Sequence, residues 1–70
     1  KVSVEVMVPK DKIITARTLL DRFAIEPPWV CTNEQFPDVF LLKYDKPKGD
    51  GFDLFHHANT NGWRAKRIPG

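Results

Sequence analysis

Seventy residues, 41% of them hydrophobic and 29% charged, with a net charge of +2, describe one ordinary globular domain and exclude a disordered chain. No apolar run approaches the roughly 20 residues that cross a bilayer as a helix, and no charged-then-apolar leader opens the chain. Cys31 is the only cysteine, which rules out an intrachain disulfide and a multi-cysteine zinc site and favours a reducing, intracellular compartment, nucleus or cytoplasm.

Val2, Val4, Val6 and Val8 alternate with Ser3, Glu5 and Met7. Four β-branched residues at period two predict a strand with one apolar face, ended by Pro9. Asp11 is placed to cap a helix running from about residue 12 to 24. Ile13, Ala16, Leu20 and Phe23 share one helical face, and Pro27-Pro28 stops the helix. Residues 26–37 read as a structured loop in which Trp29 and Val30 plug the open side of the core. Within it Thr32 and Gln35 have capping-box spacing, enough for one helical turn before Pro37.

Val39 to Tyr44 predicts a second strand, with Phe40, Leu42 and Tyr44 on one face. Asp45 to Gly51 is dense in turn formers and predicts a hairpin tip, with Phe52 to His57 as the return strand. Asn59 to Gly62 makes a second turn, and Trp63 to Ile68 a last strand. The expected architecture is a single α+β domain over residues 1–70, read as a piece of a longer protein. Its order is β-α-β-β-β, with one helix packed on a mostly antiparallel sheet whose last three strands form a meander.

His56-His57 is the first place to look for chemistry. Adjacent strand residues face opposite ways, so a metal site there would need Cys31 and a carboxylate such as Asp53 as well. No metal, cofactor or catalytic residue is assigned. A Cys31–histidine nucleophile has nothing behind it beyond residue type. A small ribonuclease using a histidine with Lys66 or Arg67 is a lesser alternative. Gly49-Asp50-Gly51 lacks the lysine-serine ending of a phosphate loop.

The charge distribution is more informative. Residues 1–35 carry five basic and five acidic side chains, residues 36–70 six and four, and the last nine hold three bases and no acid. On the last strand Arg64 and Lys66 project to one face, about 7 Å apart, near the spacing of successive phosphates. Trp63, Ala65 and Arg67 project to the other. The expected function is nucleic-acid binding, to DNA first, through Arg64, Lys66 and Arg67, assisted by Lys46 and Lys48 in the hairpin tip. The alternative is a protein-interaction domain anchored by Tyr44, Phe52, Phe55 and Trp63, or one that accepts a partner strand at a sheet edge. The run Gly62-Trp63-Arg64-Ala65-Lys66-Arg67 is similar to the DNA-reading strand of plant sheet-type factors, the WRKY and NAC groups. It lacks the WRKY heptapeptide and the cysteine-histidine zinc set, so the likeness implies only that such a strand can bind DNA.

Overall fold

The alternating valines build a strand at the heart of the protein. In a computed structural model describing residues 1–70, β1 (Val2–Pro9) buries Val4, Val6 and Val8 completely. On one side it pairs antiparallel with β3 (Val39–Tyr44), from Val4 opposite Tyr44 to Pro9 opposite Val39. On its other side β4 (Arg64–Pro69) runs antiparallel, from Val2 opposite Pro69 to Met7 opposite Arg64. The short strand β2 (Trp29–Thr32) adds to the outside of β3. The sheet order is β2-β3-β1-β4.

Two helices, α1 (Ile13–Leu20) and α2 (Phe52–Thr60), cover one face of the sheet. β1 and β2 both run against β3, so they are parallel to each other and α1 crosses between them. In the same way α2 carries the chain from β3 to β4. These are two interleaved split β-α-β units, the ferredoxin-like connectivity. No helix is long and apolar enough to cross a membrane.

The α+β class, the antiparallel four-stranded sheet, and the placement of β1, α1, β3 and β4 agree with the sequence patterns. The order β-α-β-β-β does not: it is β-α-β-β-α-β. Residues 52–60 are helical because Leu54 and Ala58, four apart, are the positions the core takes from this segment. Its start and stop are chemical. Asp50 Oδ1 accepts a hydrogen bond from the Phe52 amide at 3.0 Å, and Gly51, at φ +80°, turns the chain into the helix. A Cβ on Gly51 would lie 2.9 Å from Val4 Cγ2, so the position also needs a glycine for the close approach. At the far end Gly62 adopts φ +85°. The Trp63 amide donates to the Ala58 carbonyl and the Gly62 amide to Asn59, both at 3.0 Å, which is a Schellman stop.

Further expectations change as well. Residues 45–51 are no hairpin tip, and β3 and β4 are not neighbours, so there is no meander. Trp29 and Val30 do not plug the core; they lie on β2, 68% and 46% exposed. The Thr32–Gln35 helical turn is absent: Asn33 Oδ1 accepts the Gln35 amide at 2.8 Å, holding a turn instead. Helix α1 proper is shorter than residues 12–24, with single 3₁₀ turns at Lys10–Lys12 and Asp21–Phe23 extending it, and Asp11 makes no capping bond.

The core contains Val4, Val6, Val8, Leu42 and Tyr44 from the sheet, Ala16 and Leu20 from α1, and Leu54 and Ala58 from α2, closed by Trp63. The hydroxyl of the buried Tyr44 is paired, while Arg17 Nε nearby is buried without a partner. The Tyr44 hydroxyl donates to Asp21 Oδ1 at 2.6 Å, and Arg17 Nη2 holds Asp21 Oδ2 at 3.2 Å. A buried phenol needs such a partner, and here it fastens the end of the first helical segment to β3.

Candidate functional site

Strand alternation gives the sheet a second face, and no helix covers it. Four strands each send two central side chains there, and the register sets them in rows. Trp29, Lys43, Glu5 and Lys66 lie side by side across β2, β3, β1 and β4. Cys31, Leu41, Met7 and Arg64 form the next row. Phe36, from the loop between β2 and β3, closes one end with Val39. The result is a shallow groove of about 570 Å³ with an apolar floor. Phe36, 54% exposed, is a ring at the groove's end, and Trp29, 68% exposed, stands on the same face in the row beside it.

The electrostatics of this face are simple. Lys43, Arg64 and Lys66 supply three positive charges, and Glu5 one negative charge. Lys66 Nζ lies 3.9 Å from Glu5 Oε1, with the carboxylate mostly covered and the lysine 71% exposed. Three cations against one carboxylate give the two central rows of the face a net charge of +2.

The residues expected to form a basic site separate into three groups. Arg64 and Lys66 share the open face, as their alternation predicts, and Lys43 joins them from β3. Arg67 points to the helix side. Its Nε and Nη2 donate to the Asp50 carbonyl at 3.1 and 3.0 Å, and Nη2 lies 3.6 Å from Asp50 Oδ2, so it holds the turn that starts α2. Lys46 and Lys48 lie in the β3–α2 connection at the opposite end of the sheet from Arg64. There the Lys46 carbonyl accepts the Ile25 amide at 2.7 Å, and the Lys48 amide donates to Phe23 at 2.9 Å. Lys46 Nζ also lies 3.8 Å from Glu26. The acids facing these cations are distant in sequence, which is why a local count of neighbours misses them.

The histidines sit on α2, not on a strand. His57 stacks on Phe23, ring centroids 4.5 Å apart, and His56 stacks on Phe52 at 5.7 Å. Cys31 is across the sheet from both, and no group of three histidine, cysteine or acidic side chains comes together as a metal site. Of the aromatic residues considered as partner anchors, Tyr44 and Trp63 are buried and Phe55 is packed against the core, which leaves Phe52.

Fold and face together define a small α+β domain of the open-faced sheet type, with a basic, partly aromatic surface. Comparison with protein-family models, with curated proteins and with solved structures gives no match.

Proposed function

We propose that the open sheet face binds single-stranded nucleic acid. One observation carries this reading: the central rows of the uncovered face hold three cations against one acid beside the exposed rings of Trp29 and Phe36. Sheet faces of this kind bind unpaired strands by stacking bases on side chains while cations follow the phosphates. A duplex fits less well. Outer strands of a four-stranded sheet lie about 14 Å apart, wider than the roughly 12 Å major groove. The role suits a nuclear or cytoplasmic protein. Arg64, Lys66 and Lys43 are the phosphate contacts, Trp29 and Phe36 the stacking rings, and Leu41 and Met7 the apolar floor.

The test is fluorescence anisotropy with labelled single-stranded DNA, single-stranded RNA and duplex, over a range of salt. The wild type is expected to bind the unpaired strands in preference. Replacing Lys43, Arg64 and Lys66 together by glutamine should remove binding while circular dichroism stays native. Each single replacement should lower the salt slope by about 0.7, the value for one phosphate no longer neutralised on an unpaired strand. Trp29→Ala should keep the fold and lose the roughly 1–3 kcal/mol of one stacked base. No binding of any oligonucleotide at low salt would end this reading.

A protein partner is the second reading, favoured by the apolar row of Cys31, Leu41 and Met7 in the groove. An open face that retains a protein ligand after the triple glutamine replacement would support it.

A further inference from the structure

One acid stands in the middle of the open face. Glu5 lies on β1, a strand with a neighbour on either side, between Lys43 on β3 and Lys66 on β4. It lines the groove beside Met7, its side chain 18% exposed. No donor of the protein hydrogen-bonds its carboxylate. Lys66 Nζ, 3.9 Å away and on a side chain 71% exposed, attracts it but lies about 1 Å too far to bond. Two carboxylate oxygens and an ammonium therefore stand side by side with their hydrogen-bonding capacity unused. A carboxylate repels phosphate, so a surface that only follows the backbone of a strand gains nothing from one at its centre.

We propose that Glu5 and Lys66 read the Watson–Crick edge of a guanine in the bound strand. The inference rests on the open-face reading and names the base it selects. Guanine alone among the bases carries two adjacent donors, N1–H and the N2 amino group, next to the O6 acceptor. The two oxygens of Glu5 accept that pair of donors as a fork. Lys66 Nζ donates to O6 and keeps two N–H groups for a phosphate. The other bases fit worse for the same reason. Adenine and cytosine place a ring-nitrogen acceptor beside their amino group, and uracil and thymine flank one N–H with two carbonyls. Each of them turns an acceptor toward the carboxylate. The base itself lies over the apolar floor of Met7 and Leu41. Position supports the chemistry, because the backbone of Glu5 is held in register from both sides, more firmly than a loop would hold it.

Fluorescence anisotropy with short oligouridines that differ in one central base tests this. A central guanosine should bind about 10- to 100-fold tighter than adenosine, cytidine or uridine, the discrimination of one bidentate pair. Inosine, which lacks the N2 amino group, should lose most of that gain, whereas a guanosine with carbon in place of N7 should lose none. Glu5→Gln removes a negative charge, so it should raise the affinity for oligouridine and abolish the preference for guanosine. An acid that serves only to separate Lys43 from Lys66 would shift every oligonucleotide alike.

Strands that bind with no preference for guanosine overturn the inference and leave the open-face reading standing. A preference that Glu5→Gln retains, or one that depends on N7, overturns it equally. The wild-type series decides by itself if Glu5→Gln fails to fold. If no oligonucleotide binds, the open-face reading fails, and guanosine monophosphate titrated into isotope-labelled protein decides this one. It should shift the amide resonances of Glu5 and Lys66 more than the adenosine, cytidine and uridine monophosphates do. Equal shifts, or none, overturn the inference.

Discussion

Leu20→Ala is expected to lower the thermal midpoint by at least about 10 °C. Leu20 is fully buried at the end of α1, among the largest side chains with no exposure. Removing three carbons there gives up their transfer energy and leaves a cavity that packed neighbours cannot fill, a cost of about 2–5 kcal/mol. A domain of this size has only about 3.5–10 kcal/mol of stability in total, so the loss is a large share. Ile14→Ala is the control, because Ile14 sits on the same helix and is 79% exposed. Thermal unfolding followed by circular dichroism measures both. A Leu20→Ala midpoint within a few degrees of wild type would mean that α1 does not seat its Ala16–Leu20 face on the sheet.

Alkaline pH should unfold the protein in a step that the phenol of Tyr44 reports. Burial pushes this hydroxyl well above the usual tyrosine range. Its hydrogen bond to Asp21 and the negative charge of Asp21 push the same way, with Arg17 opposing. The unfolded chain loses the proton near pH 10 while the folded one keeps it. The stability tied to this group is therefore complete below about pH 10 and declines above it, by about 1.4 kcal/mol per pH unit. Tyr44 is the only tyrosine, so phenolate absorbance has a single source. It should appear in one cooperative step well above pH 10, together with the loss of circular dichroism. Tyr44→Phe should flatten the decline, while leaving Asp21 without one donor at a cost of about 1 kcal/mol. Phenolate appearing near pH 10 in a still-folded protein would contradict the burial of Tyr44.

Much of this frame could be read from the chain, and what could not has identifiable causes. Alternation in Val2–Val8 and in Val39–Tyr44, and the spacing of Ile13, Ala16, Leu20 and Phe23, each survive because one face of the element meets the core along its length. α2 was hidden by its composition. Phe52, Phe55 and the two histidines suggest a strand, and the glycines before them suggest a hairpin, whereas the deciding pair is Leu54 and Ala58. The Asp50 turn and the Gly62 stop were the local signals that could have corrected this. β2 was hidden by brevity: four residues after Pro27-Pro28 have no period to display. At the site, Arg64 and Lys66 were legible because they alternate on one strand. Lys43 was legible in principle, facing away from Leu42 and Tyr44. Trp29 and Glu5 were not, because only cross-strand register brings them into a row with the lysines, and register is a property of the assembled sheet.

The central place of β1 also fixes an order of events. Val4 lies between Tyr44 on one side and Arg67 on the other, so the first strand to be made has neighbours that are both made late. Closing loops of that length is entropically costly before any contact repays it, which places folding in the slower, millisecond-and-longer range of small domains. β1 meanwhile waits with an apolar face and two unsatisfied edges, and only Glu5 on it carries a side-chain charge. Pulse-labelled hydrogen exchange during refolding should find the β1 amides facing β4 gaining protection together with Arg64–Pro69 and no sooner. Nascent chains halted before Arg64 carry in β1 the strand of this domain most in need of a chaperone.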